Sequence, residues 1–233
     1  MVRDDASAVG TRPVAIPIDG LTLAGELSVP AGARGLVIFA HGSGSSRLSP
    51  RNRYVAHALQ DDGLATLLLD LLTAEEERLD ERTRALRFDI PLLASRLEAA
   101  TTWALGEPVI GALPIGYFGA STGAAAALIA AAHRPSEIRA VVSRGGRPDL
   151  AGPTLRRVHA PTLLIVGGDD DVVLRLNKQA LGELSGQKAL QVVPGATHLF
   201  EEPGALEDVT RRARAWFDRH LRPKRERIPD DAW

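Results

Sequence analysis

The sequence contains no cysteine. Disulfides, thiolate metal sites and a cysteine nucleophile are therefore excluded, and the redox compartment stays open. An excess of either charge is also missing: 28 Lys and Arg against 29 Asp and Glu give a net charge of −1. So balanced a chain offers no field for nucleic acid or an acidic membrane, and neither partner is expected. Long apolar runs are absent as well. The opening Met1-Val2-Arg3-Asp4-Asp5 holds no apolar signal region, and no run reaches the ~18 apolar residues of a membrane span. A cytoplasmic location is the expectation. Neither internal repeats nor an interdomain linker can be read along the chain. The 233 residues are expected to form one domain, with 222–233 as a polar C-terminal tail.

What is there is ordinary for a globular core, with 45% hydrophobic and 24% charged residues. Residues 12–19 and 21–29 alternate apolar with polar around Asp19-Gly20, which predicts an N-terminal β-hairpin. After a Pro- and Gly-rich turn, the apolar run Leu36-Val37-Ile38-Phe39-Ala40 predicts a strand buried on both faces. Further strands are predicted at 65–72, 115–120, 140–143, 162–166 and 189–193. Helices are predicted at 52–62, 89–105, after residue 121, at 173–184 and at 206–221. The polar stretch 73–87 opens with Glu75-Glu76-Glu77, a composition suited to a helix start and a solvated face. Strands alternating with helices predict a mostly parallel sheet covered on both sides. In such sheets ligands bind beyond the carboxyl ends of the strands, so the residues following each strand carry the functional question.

One such stretch is Ile115-Gly116-Tyr117-Phe118-Gly119-Ala120-Ser121-Thr122-Gly123-Ala124, an apolar strand running through Gly-x-Ser-x-Gly into an alanine-rich helix. A serine hydroxyl is a weak nucleophile unless a base can reach it, and a sharp strand-to-helix turn projects it above the sheet edge. The helix that follows aims its first N–H groups at the same point. Of the six histidines only His41 and His198 follow strands. His198 sits in Pro194-Gly195-Ala196-Thr197-His198 and is the candidate base for Ser121. His41 is read as a structural histidine bonded to neighbouring backbone. The acid that fixes the His198 tautomer is expected from Asp169-Asp170-Asp171. Asp170 is favoured, because Val166-Gly167-Gly168-Asp169-Asp170-Asp171-Val172-Val173 fits Gly-x-x-Asp-x-x-Val, and two of the three carboxylates are expected to be solvated or helix-capping. An oxyanion hole needs two backbone N–H groups. Thr122, next to the nucleophile, and Ser43, in the loop after 36–40, are the candidates. Arg144 and Arg147 also follow a strand, where guanidinium groups suit a bidentate pair with a substrate carboxylate.

Taken in order, His41-Gly42-Ser43-Gly44, Gly119-Ala120-Ser121-Thr122-Gly123, Gly167-Gly168-Asp169-Asp170 and Gly195-Ala196-Thr197-His198 resemble the α/β-hydrolase superfamily. Within it they resemble the small proteins related to dienelactone hydrolase, over residues 36–221. The resemblance implies an α/β-hydrolase fold with an eight-stranded sheet, and neither a metal nor an organic cofactor. Dienelactone hydrolase itself uses a cysteine nucleophile. With none here, serine-esterase chemistry on a small-molecule ester is the expectation. The segment 121–161 is too short for a large cap domain, so an open site is expected. An acyltransferase or perhydrolase using the same three residues, and a non-catalytic binding protein keeping the fold, are the alternatives. Acyl length, oligomeric state and any lid role of 73–87 are not written in these motifs.

Overall fold

A computed structural model of the chain describes residues 10–221, and the predicted polar tail at 222–233 lies outside the described residues. The strands are β1 (Thr11–Ile18), β2 (Leu21–Ser28), β3 (Leu36–Ala40), β4 (Ala65–Leu69), β5 (Ile115–Ala120), β6 (Ile138–Arg144), β7 (Thr162–Gly167) and β8 (Lys188–Val193). The helices are α1 (Pro50–Asp61), α2 (Ala74–Thr83), α3 (Ile90–Gly106), α4 (Thr122–His133), α5 (Asp171–Glu183) and α6 (Ala205–His220). All eight strands join one sheet in the order β1-β2-β4-β3-β5-β6-β7-β8. The β1–β2 and β2–β4 pairs are antiparallel, and every other pair is parallel.

The β1–β2 hairpin turns through Asp19 and Gly20, at φ 44° and 78°. Two consecutive left-handed residues match the twist of the strands they join, and Asp-Gly supplies them at little steric cost. Every residue of β3, β4, β5 and β7 is buried. Their unbroken apolar runs follow from helices lying on both faces. On one side α3 and α4 pack with the hairpin in a cluster that includes Leu27, Leu93, Leu97 and Tyr117. On the other, α1 and α6 pack Val55, Leu59, Val209 and Phe217 against Phe39 and Phe118. α4 is buried along Thr122–Ala132. Its alanines let it lie close to the sheet and to α3 at once, where bulkier side chains would hold the layers apart.

β4 and the stretch between β6 and β7 depart from the sequence expectations, whereas the helix start within 73–87 follows them. β4 stops at Leu69 rather than 72. The Asp70 N–H still donates to the Ala24 carbonyl of β2 at 2.9 Å, but the Leu71 N–H leaves the ladder for His41 Nε2 at 3.0 Å. The stretch 73–87 holds α2, opened by a reciprocal capping box. Thr73 Oγ1 accepts the Glu76 N–H at 3.2 Å, and Glu76 Oε2 accepts the Thr73 N–H at 2.7 Å. Between β6 and β7 the chain forms a 3-10 stretch, Pro148–Arg157, kinked at Gly152, and no cap domain.

Candidate active site

Ser121 is the single residue between β5 and α4. Its backbone sits at φ 50°, ψ −122°, a sparsely populated region for any side-chain-bearing residue. Neighbours hold it there. The Ser121 N–H donates to the Arg144 carbonyl at 3.3 Å, and the Arg147 N–H donates to the Ser121 carbonyl at 3.0 Å. The flanking glycines are demanded by space. A Cβ on Gly119 would lie 2.5 Å from the Ala124 Cα, and one on Gly123 would run into the carbonyl oxygens of Ala40 and His41. The turn therefore wedges the start of α4 against the end of β3, which is what brings Thr122 and the Ser43 loop together.

Asp170 ends the loop after β7 and caps α5, its Oδ1 accepting the Val173 N–H at 3.3 Å. Its other oxygen, Oδ2, accepts a hydrogen bond from His198 Nδ1 at 2.7 Å. One carboxylate thus does both jobs that the sequence reading divided among three aspartates, and Asp169 and Asp171 stand exposed. With Nδ1 protonated and bound, the imidazole Nε2 is left as the basic nitrogen. Ser121 and His198 line one cleft of about 240 Å³ together with Ser43, Arg51, Asn52 and Arg144. No Ser121–His198 hydrogen bond is present among the described residues.

The two expected oxyanion donors are also neighbours, but one is engaged. The Ser43 N–H donates to Thr122 Oγ1 at 2.9 Å. The Thr122 N–H, in the first turn of α4, has no intrahelical acceptor. His41 is wholly occupied with backbone: Nδ1 donates to the Gly42 carbonyl at 2.9 Å, and Nε2 accepts from Leu71. Burial pushes its pKa below the ordinary histidine value, against the smaller opposing pulls of the Gly42 carbonyl, Asp70 and Glu77.

The two arginines part company. Arg144 is 7% exposed and reaches the cleft, its Nη2 donating to Asn52 Oδ1 at 3.3 Å and its Cζ lying 5.9 Å from the centre of the Phe200 ring. Burial, and then the Arg51 charge, pull its pKa down to about 10. Arg147 corrects the expectation placed on it. Its guanidinium forks onto Asp149 through Nε at 2.9 Å and Nη2 at 2.7 Å, and it does not line the cleft. What it brings to Ser121 is a backbone N–H. The sequence reading missed Arg51 and Asn52, which reach the cleft from α1, and Leu199, which reaches it from the loop after β8; Phe200 lies buried behind Arg144. Ser49-Pro50 marks the start of α1, yet nothing in the pattern says which way its first turn points.

Among the described residues no group of three or more His, Cys, Asp or Glu side chains is arranged to hold a metal ion. None of the described helices is long and apolar enough to cross a membrane.

No family model matches the chain. A solved dienelactone hydrolase from Anabaena variabilis is 58% identical and superposes with a TM-score of 0.91, over 93% of this chain and 100% of that one. A Mycobacterium tuberculosis protein provisionally named a phosphoribosyl transferase is 59% identical over 220 residues, 94% of this chain and 47% of the relative. The chain thus spans about half the length of the curated relatives it matches. Est1E from Butyrivibrio proteoclasticus, 16% identical with a TM-score of 0.74 over 89% of this chain and 98% of that one, shares the fold.

Proposed function

The chain belongs to the dienelactone hydrolase-related family of α/β-fold hydrolases, and from that premise we propose that it is a serine carboxylesterase, cleaving small esters through an acyl-enzyme on Ser121. The observation that carries the reading is the 2.7 Å bond from His198 Nδ1 to Asp170, in a cleft the imidazole shares with the strained Ser121. Asp170 fixes the tautomer, so His198 Nε2 takes the Ser121 hydroxyl proton as the oxygen attacks the ester carbonyl. The negative charge moves to the carbonyl oxygen. There the Thr122 N–H receives it, joined by the Ser43 N–H once that donor leaves the Thr122 hydroxyl. His198 then hands its proton to the leaving alcohol. A water molecule, deprotonated by the same imidazole, releases the acid and regenerates Ser121. Ser121 and His198 line the same cleft without a hydrogen bond between them, and catalytic pairs commonly tighten when substrate arrives.

The transferase name belongs to mycobacterial proteins more than half of whose length lies outside the match. What favours hydrolysis for the matched stretch is the grouping of Ser121, His198 and Asp170. Acyl transfer to an alcohol or peroxide would use the same three residues, and product analysis with a competing nucleophile separates it from hydrolysis. The decisive experiment is Ser121→Ala assayed on an activated short-chain ester, with fluorophosphonate labelling of the wild type in parallel. Turnover should fall to background and the label should map to Ser121. Wild-type rates in the variant would refute the proposal.

A further inference from the structure

Asn177 is a buried polar side chain that the catalytic steps above do not use. It lies in α5 at 0% exposure. Its Nδ2 group donates to the Gly146 carbonyl at 2.9 Å and to the Val173 carbonyl at 2.8 Å, and its Oδ1 is buried with no partner. Taking an amide out of water costs free energy that only hydrogen bonds offset, and asparagine is also a poor helix former. A position that needed only filling would suit leucine, of similar bulk and with neither cost. The two N–H bonds are therefore what this residue contributes. The Val173 bond stays within one turn of α5. The Gly146 bond leaves the helix, and among the described residues no other side chain of α5 bonds to the loop 145–147.

That loop touches both Ser121 and His198. Gly145, at φ 52°, lies against the histidine, and a Cβ there would meet its carbonyl oxygen at 3.2 Å and its Cε1 at 3.6 Å. Gly146 is wedged between β6 and α4, where a Cβ would lie 2.0 Å from Ser143 Oγ and 2.6 Å from the Ala124 Cβ. The Arg147 N–H donates to the Ser121 carbonyl at 3.0 Å. The Gly146 carbonyl and the Arg147 N–H are the two ends of one planar peptide group. The Asn177 amide grips one end, and the Ser121 main chain is held by the other. A hydrogen bond at the oxygen also polarises the N–H opposite, so each bond strengthens its counterpart. α5 itself begins beside Asp170, which caps the Val173 N–H through Oδ1 at 3.3 Å and holds His198 through Oδ2 at 2.7 Å. We propose that Asn177 is a positioning residue: through this single peptide plane it locks the backbone of Ser121 to the helix that Asp170 caps. The Ser121 hydroxyl and the His198–Asp170 pair then keep one spacing from which proton transfer starts. This rests on the serine-esterase reading and adds to it the element that sets its alignment. A misplacement of about 1 Å at reacting atoms costs about a hundredfold in rate.

The experiment compares Asn177→Leu, which keeps the bulk and loses both donors, with Ala180→Gly, which weakens the same helix at another buried position. On a nitrophenyl ester Asn177→Leu should lose about tenfold or more in kcat, with KM close to the wild-type value. Fluorophosphonate labelling of Ser121 should slow in parallel. The acid limb of kcat/KM against pH, which reports the imidazole, should keep its midpoint, because the bond to Asp170 is untouched. Ala180→Gly should melt at a lower temperature and keep the wild-type kcat. Should Asn177→Leu fail to fold, Asn177→Ser takes over the test. Its hydroxyl has one proton for two carbonyls and favours the Val173 carbonyl within its own helix, so the same loss is expected. A loss of kcat smaller than about tenfold overturns the proposal. So does a shifted acid limb, which would put the effect in the Asp170–His198 pair. An equal loss in Ala180→Gly overturns it too, since helix stability alone would then account for Asn177. Failure of the esterase reading has a different signature, namely turnover that persists in Ser121→Ala.

Discussion

Asp170 bonds to two partners through two different oxygens, and this makes its amide variant unusually informative. Oδ1 accepts the Val173 N–H at 3.3 Å and Oδ2 accepts His198 Nδ1–H at 2.7 Å. An amide has one acceptor oxygen, so Asp170→Asn can keep the cap or the histidine but not both. If the oxygen stays on Val173, the NH2 group faces His198 Nδ1. The imidazole then flips to the tautomer protonated at Nε2 and can no longer take the serine proton, which costs on the order of 10⁴-fold in kcat. Stability would fall by less than about 1 kcal/mol, since Asn caps as well as Asp and only the charge at the helix start is lost. If the amide turns the other way, the activity loss is smaller but the cap is lost. That costs about 1 kcal/mol, or about 2–4 °C in Tm for a chain of this size. Asp170→Ala should show both losses together. The exposed Asp169 gives the control, since Asp169→Asn should leave kcat and Tm at wild-type values. The assays are kcat on a nitrophenyl ester and a thermal melt on the same preparations. Asp170→Asn with both kcat within tenfold and Tm within a degree of wild type would show that this carboxylate does not do the two jobs assigned to it.

Burial holds the His41 pKa below the unfolded value, so below about pH 6.5 the unfolded chain takes up a proton that the folded chain refuses. Stability should therefore fall with pH from about 6.5 downward until the folded pKa is reached. The slope from this residue is up to about 1.4 kcal/mol per unit, and urea unfolding between pH 8 and pH 5 measures it. An unchanged free energy across that range would contradict the neutral, doubly bonded ring. Thr122→Val removes the hydroxyl that holds the Ser43 N–H, freeing a donor whose present bond is worth about 0.5–1.5 kcal/mol. The variant should raise kcat about two- to tenfold on steady-state ester hydrolysis, and a decrease would mean that the hydroxyl anchors the loop instead. Gly123→Ala drives a methyl into the Ala40 and His41 carbonyl oxygens and should destabilise the fold by about 3 kcal/mol in urea titration. A wild-type midpoint would show that the close approach of α4 to β3 is not required.

Much of the architecture could be read from the chain because local and long-range demands agree there. Leu36–Ala40, Ile115–Ala120 and Thr162–Gly167 are unbroken apolar runs, and burial on both faces requires such runs. Asp19-Gly20 names its own turn. The Ser–Asp–His order could be read for a similar reason, since each residue lies in the segment that follows a strand's carboxyl end, and those ends share one rim. What could not be read depends on partners far apart in sequence. The shortening of β4 results from His41 capturing the Leu71 N–H, and no pattern around 65–72 encodes that. The 3-10 stretch Pro148–Arg157 is kinked at Gly152 and followed by Pro153, a pair that reads in the sequence as a turn and hides the short helical pieces on either side. Arg144 and Arg147 look alike in the sequence and have opposite fates. The difference is Asp149, two residues beyond Arg147 and able to take its guanidinium, while Arg144 points inward to Asn52, 92 residues away.

The same geometry shows which part of the cleft is rigid and which must move. Asp170 and His198 are joined at 2.7 Å, with Asp170 pinned to a helix start. Ser121 is clamped by two backbone bonds, from β6 and from the loop after it. Each half is therefore preorganised, which is where an enzyme gains most from fixed dipoles. The junctions between the halves are open: serine and imidazole are unbonded, and the Ser43 N–H rests on the Thr122 hydroxyl. In the proposed mechanism both are relieved by the arrival of one species, a carbonyl carbon bonded to Ser121 with its oxygen turning negative. An oxyanion is a stronger acceptor than a threonine hydroxyl, so on that proposal it draws the Ser43 N–H away, and the proton leaving Ser121 gives His198 its missing partner. The interactions formed only then are those that favour the transition state over bound ester, so their free energy lowers the barrier rather than tightening substrate binding.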